Sequence, residues 1–133
     1  MRGLIFGKGR RVPAGPLISI IDDDESMRRA AVALVRSAGY EARGFGSAEE
    51  FLACGTVENF ACIITDIQMP GMSGIELKKH LAASQNAVPV IMITARQDAG
   101  LQESAIASGA ACFLRKPFEA DALIRSVEGA LGS

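Results

Sequence analysis

Leu17–Ile21 (LISII) is an apolar run that stops abruptly at Asp22-Asp23-Asp24, and the chain repeats that pattern. Ala61–Thr65 (ACIIT) runs into Asp66, Pro89–Ile93 (PVIMI) into Thr94, and Ala111–Leu114 (ACFL) into Arg115-Lys116-Pro117-Phe118. Short apolar runs cut off by polar groups read as strands, and Leu17–Ile21 and Ala61–Thr65 suit buried parallel strands with polar groups at their carboxyl ends. Tyr40–Phe45 is a further strand, more polar, and so placed at an edge.

The intervening segments have helical period. From Ser26 to Ala38, Ala31, Leu34 and Val35 share one stripe, and Gly39 is placed to stop the helix. Ser47-Ala48-Glu49-Glu50 has the spacing of a capping box, opening a short helix to Cys54 that Gly55 ends. After the loop Met69-Pro70-Gly71-Met72-Ser73-Gly74, a helix runs from Ile75 to Ala83. Leu101, Ala105 and Ser108 mark a weak helix ending at Gly109, and Leu123, Ile124, Val127 and Leu131 mark the last one.

Strands alternating with helices predict an α/β fold with a mostly or wholly parallel sheet. Right-handed crossovers then place helices on both faces. Ligands of such sheets bind beyond the carboxyl ends of the strands, where strand order reverses. Four of the five strands end in a reactive polar group: Asp22/Asp23, Asp66, Thr94 and Lys116. The fold would bring these to one rim from across 95 residues of sequence.

The length of 133 residues fits one domain, and 49% hydrophobic with 22% charged residues is ordinary globular usage. Residues 1–16 are set apart: they carry Arg2, Lys8, Arg10 and Arg11, no acid, and clustered Gly and Pro. They read as a flexible basic N-terminal extension, with residues 17–133 as the domain. FGKGR lacks the spacing of a phosphate-binding P-loop, and no apolar stretch of signal-peptide length precedes it. An arm touching nucleic acid is the functional alternative for this segment. The domain itself holds 10 basic and 15 acidic residues, so no direct nucleic-acid binding by it is expected. No run reaches the roughly 18 apolar residues of a membrane span. Cys54, Cys62 and Cys112 show no metal-ligand spacing; an odd, scattered set reads as reduced thiols of a cytoplasmic protein.

Three carboxylates gathered at one rim repel. Two like charges 4 Å apart cost about 4 kcal/mol at an effective dielectric of 20. Either a proton or a cation must neutralise them. An all-oxygen set suits Mg²⁺. An aspartate beside a divalent cation, a lysine and a hydroxyl is suited to phosphoryl transfer, with the carboxylate as nucleophile.

The segments IIDDDESMR, TDIQMPGMSGIEL, PVIMITA and FLRKPF occur in that order, and from Leu17 to Leu131 the chain resembles a response-regulator receiver domain of two-component systems. It is CheY-like, and SAEEFL with the KPF ending places it nearest the FixJ/NarL-type receivers. The resemblance implies a flavodoxin-like five-stranded parallel sheet of order 2-1-3-4-5. It implies that Asp66 accepts a phosphoryl group from a sensor histidine kinase or phosphotransfer protein. Asp22, Asp23, Asp66 and the backbone carbonyl of Gln68 would hold Mg²⁺. Thr94 would turn its hydroxyl to the phosphoryl group, Lys116 would pair with it, and Phe113 would be the aromatic switch. The Lys116–Pro117 peptide would be cis. Gln68 and Arg96 would flank the water of dephosphorylation. A homodimer through the fourth helix, fifth strand and fifth helix is also implied. Such a domain is a signalling element and no enzyme beyond its own phosphorylation and dephosphorylation.

Taken singly, these residues have plainer readings. Asp22–Glu25 can be a helix-starting acidic cluster, Asp66 a loop cap, Thr94 a strand terminus, Lys116 a solvated cation and Phe113 core. His80 reads as solvated, Met69 and Met72 as loop packing, Cys62 and Cys112 as small buried hydrophobes. Two rival functions remain open. One is a receiver-like binding module that is never phosphorylated. The other is an aspartyl-phosphate hydrolase of the haloacid-dehalogenase type, against which Ile67-Gln68 stands where a DxD motif would need its second acid.

Overall fold

The computed structural model describes residues 5–6, 10–11, 15–97 and 99–132. Five parallel strands form the main sheet: β1 (Leu17–Ile21), β2 (Glu41–Phe45), β3 (Cys62–Asp66), β4 (Val90–Thr94) and β5 (Cys112–Arg115). Their order is β2-β1-β3-β4-β5. The flavodoxin-like order 2-1-3-4-5 is therefore observed. The helices are α1 (Glu25–Ser37), α2 (Ala48–Leu52), α3 (Gly74–Ala83), α4 (Ala99–Ala107) and α5 (Ala120–Ala130). A 3₁₀ turn, Val57–Asn59, leads into β3.

Alternation along the strands builds two cores. Ile18 and Ile20 of β1, Cys62 and Ile64 of β3, and Ile91 and Ile93 of β4 meet Val35 of α1 and Leu123 and Val127 of α5. Ile21, Ile63, Val90 and Met92 point the other way, onto Phe51 of α2, Leu77 and Leu81 of α3, and Ala105 of α4. Helices thus cover both faces, as the crossover rule requires. β3 and β4 are flanked by a strand on each side and covered on both faces, which is why their sequences are almost unbroken in apolar character. The five-residue helix α2 is held by aromatic packing. Phe51 lies 5.3 Å from both Phe45 and Phe60, ring centre to ring centre, edge to face.

Four strands differ from the sequence reading by one residue, β2 only in starting at Glu41 and not Tyr40. β3, β4 and β5 each start and end one position later than the apolar runs suggest. Register explains it: Asp66 pairs with Ile93 and Thr94 with Arg115, so the polar residues that close the runs still lie within the ladder. Pro89 lacks an N–H and contributes only its carbonyl, to Ile63 N at 3.0 Å. α1 begins at Glu25, one residue before the expected Ser26, because the Asp24 side chain caps it by accepting from Met27 N.

At the N-terminus, Ile5–Phe6 pairs antiparallel with Arg10–Arg11 in a ribbon separate from the main sheet. Residues 1–4, 7–9 and 12–14 of the expected flexible extension lie outside the described residues. The Pro16 carbonyl accepts from Glu41 N at 3.0 Å, at the start of β2. Among the described residues, no helix is long and apolar enough to cross a membrane.

Candidate functional site

The carboxyl ends of β1, β3, β4 and β5 converge on one rim, and side chains far apart in sequence meet there. Asp22 follows β1 and is almost fully buried. Its main-chain N–H donates to Phe45 O at 3.1 Å. One carboxylate oxygen, Oδ1, accepts from Asp24 N at 3.0 Å, and the other, Oδ2, from Lys116 Nζ at 3.2 Å. Asp24 in turn caps α1, accepting from Met27 N at 3.1 Å. The acidic run thus divides its labour: Asp24 starts the helix, Asp22 turns inward, and Asp23 stands exposed at the mouth.

Asp66 ends β3. Its Oδ2 lies 3.6 Å from Lys116 Nζ, with the two side chains 12% and 17% exposed. Carboxylate oxygens of Asp22, Asp23 and Asp66 lie within 4.8 Å of one another. Burial pushes the Asp66 carboxyl above the usual range. Lys116 pulls it back, Asp22 pushes it further up, the Gln68 N–H lowers it and Asp23 raises it, and the balance stays upward. For Lys116, burial favours the neutral amine, but Asp66 and Asp22 outweigh it and hold the ammonium above its ordinary value.

Thr94 ends β4 and is fully buried. Its carbonyl accepts from Lys116 N at 2.8 Å, which fixes the start of the lysine relative to β4. Its hydroxyl oxygen accepts from Arg96 N at 3.0 Å. The Lys116–Pro117 peptide is cis. Phe113 is half-buried on β5, level with Met92, with the Arg115 guanidinium 5.4 Å from its ring centre. Gln68 is exposed just beyond Asp66.

Three contributors were not apparent in the sequence. Arg28 reaches back from α1 and donates to the Asp22 carbonyl at 2.8 Å, holding the acidic turn. It lies across Gly44, where an added Cβ would sit 3.0 Å from the Arg28 Cγ. Glu49 accepts from Met72 N at 2.7 Å and ties α2 to the loop after β3. At Ser47 only half of the expected capping box forms: Ser47 Oγ accepts from Glu50 N, but Glu50 accepts from Gly46 N. The full box is at Ser73 and Glu76, opening α3 directly after the site. The third contributor is Arg115, whose fork joins Arg96 O and Gln102 Oε1.

Other residues fall outside the rim. His80 is exposed on α3. All three cysteines are free, and burial pushes the Cys62 thiol up to about 12.

With all groups ionised, three carboxylates and one ammonium leave a net charge of −2 on an all-oxygen rim. The donor set and its charge fit a hard divalent cation such as Mg²⁺.

Comparison with known proteins decides the family. The response regulator receiver domain family matches residues 18–128. The chain belongs to the response-regulator receiver family. This receiver is 40% identical over 114 residues to the transcriptional regulatory protein FixJ of Bradyrhizobium diazoefficiens, covering 86% of this chain and 56% of that protein. It spans about half the length of such relatives. Its backbone resembles the crystal structure of FixJ-N with a TM-score of 0.80 at 33% identity, over 87% of this chain and 93% of that one. It also resembles a receiver protein from Burkholderia phymatum, with a TM-score of 0.77 at 45% identity, over 88% and 95% of the two chains. The receiver is thus a signalling domain of two-component systems.

Proposed function

We propose that Asp66 is the phosphoacceptor of this receiver and that a sensor histidine kinase or phosphotransfer protein is the donor. The observation that carries this reading is the position of the Asp66 carboxylate, 3.6 Å from a half-buried ammonium and within the oxygen cluster of Asp22 and Asp23. A carboxylate Oδ of Asp66 attacks phosphorus. The bond from phosphorus to the donor imidazole nitrogen breaks, its electron pair returns to that nitrogen, and an acyl phosphate remains on Asp66. Lys116 supplies a fixed positive charge for the phosphoryl oxygens without reorganisation. Asp22, Asp23, Asp66 and the Gln68 carbonyl are the residues that would hold Mg²⁺. Bound there, the ion would neutralise charge on the transferring group.

Thr94 and Phe113 form the switch in this reading. The Thr94 hydroxyl would leave the Arg96 N–H to meet the new phosphoryl group, and Phe113 would follow. The face of α4, β5 and α5 would then change its preferred partner. A second copy is the partner proposed for that face, where Ile106 stands 59% exposed. The place of action is the cytoplasm, where phosphohistidine donors of this class reside.

Intact-mass spectrometry after incubation with acetyl phosphate tests the reading. One phosphoryl increment is expected with Mg²⁺, little without it, and none in Asp66→Ala. Undiminished labelling of Asp66→Ala refutes the nucleophile. Turnover of external phosphate esters would favour the hydrolase instead.

A further inference from the structure

We infer that Arg115 is a positioning residue: acting through the Arg96 main chain, it holds the Thr94 hydroxyl, Phe113 and α4 in one arrangement. The role assigned to that arrangement in phosphoryl transfer rests on the reading of Asp66 as phosphoacceptor.

Arg115 closes β5 level with Thr94 on β4. Its guanidinium spends both arms on different elements. Nη1 donates to Arg96 O at 3.0 Å, in the loop after β4. Nη2 donates to Gln102 Oε1 at 3.0 Å, on α4. The same group lies 5.4 Å from the centre of the Phe113 ring. The Arg96 N–H meanwhile donates to Thr94 Oγ1 at 3.0 Å. One rigid fork therefore connects a buried threonine, an aromatic on the neighbouring strand and a surface helix.

The physics of each contact gives the connection a direction. A guanidinium holds its donors in one plane, so fixing one arm restricts the other. The carbonyl and N–H of Arg96 flank a single Cα. The two groups belong to successive peptide planes joined only by φ and ψ of Arg96, so holding the carbonyl at one end and the N–H at the other restricts those two torsions. The Arg96 N–H holds the Thr94 oxygen in place, so swinging that oxygen to a new position works against this bond unless the Arg96 segment moves with it. A cation on the face of Phe113 favours the ring's present place. Arg115 thus stabilises the arrangement in which the Thr94 oxygen is tied to the Arg96 N–H, and weakening it shifts the population toward arrangements in which that oxygen is free to move.

The test compares Arg115→Ala, Arg115→Lys and Gln102→Ala in the full chain. Labelling by acetyl phosphate is timed at saturating Mg²⁺. Amide resonances of Thr94, Arg96 and Phe113 are recorded in the unphosphorylated protein. Arg115→Ala is expected to label on the order of fivefold faster, the lower range of ordinary coupling between sites. Lysine keeps the charge but cannot fork, so Arg115→Lys should resemble Arg115→Ala. The three amides should move along one line in all three variants, least for Gln102→Ala, which cuts one arm only. Arg115→Lys behaving as wild type would reduce the residue to a surface charge and overturn the inference. So would unmoved Thr94 and Arg96 amides in Arg115→Ala. If the wild-type chain takes no label, the phosphoacceptor reading fails by itself, and the resonances still decide the clamp.

Discussion

Lys116→Met removes a charge and keeps the length of the side chain. Nζ stands 3.2 Å from Asp22 Oδ2 and 3.6 Å from Asp66 Oδ2, with all three side chains mostly buried. At an effective dielectric of 20 the two attractions are each about 5 kcal/mol before desolvation is counted. Desolvating the ammonium cancels much of this, but removing it also leaves two buried carboxylates facing one another. Breaking a buried pair in that way costs about 3 kcal/mol. For a domain of this size that is a fall in Tm of about 10 °C. The loss depends on conditions. Asp66 already sits above the usual carboxylate range because of burial, and it rises further without Lys116. As pH falls through that raised value, Asp66 takes up a proton and the penalty shrinks. Mg²⁺ should rescue as well, since the rim then carries three carboxylates and no cation of its own. Urea or thermal unfolding in EDTA at pH 7.5 and at pH 5, then with Mg²⁺, measures this. A deficit that is the same in all three conditions, or no deficit at all in EDTA, would show that Lys116 does not neutralise the buried carboxylates.

Asp66→Asn should raise stability in metal-free buffer at neutral pH. An acid whose folded pKa is raised costs stability once it ionises, so wild-type stability falls as pH rises from the unfolded value through the folded one. Melts from pH 4 to pH 8 should show the two proteins diverging upward in pH; parallel curves would contradict the assignment. Ser19→Ala should be neutral or stabilise by about 1 kcal/mol, because Ser19 Oγ is fully buried with no partner among the described residues. Denaturant midpoints read this, and a loss above that size would show that the hydroxyl has a partner. Gly74→Ala places a Cβ 2.7 Å from Asp66 O and 3.1 Å from Thr65 Cγ2. Crowding of that degree against backbone should cost about 1–3 kcal/mol and slow labelling of Asp66, measured by unfolding and by acetyl phosphate time courses.

Much of this architecture could be read from the order of apolar and polar residues. LISII, ACIIT and PVIMI declare buried strands because both faces of β1, β3 and β4 are covered, and the acids and hydroxyl that close them mark the rim. Boundaries were off by one because apolar character stops where solvent or a site begins, whereas the hydrogen-bonded ladder continues through Asp66 and Thr94. The capping box was misplaced for a related reason. Ser47–Glu50 and Ser73–Glu76 share the same spacing, and only the local turn decides whether the glutamate reaches its own cap or the residue before it. Arg28, Glu49 and Arg115 could not be assigned from sequence. An exposed-looking arginine or glutamate gives no sign of which main-chain group, six to twenty-three positions away, it will meet.

Which carboxylate carries the phosphoryl group decides how this receiver works. Borohydride reduces an acyl phosphate to an alcohol and marks the residue permanently, so peptide mapping after acetyl phosphate, Mg²⁺ and borohydride identifies it. Reduction confined to position 66 is the result expected. Reduction at Asp22 or Asp23, or none in protein that has gained phosphoryl mass, would contradict it.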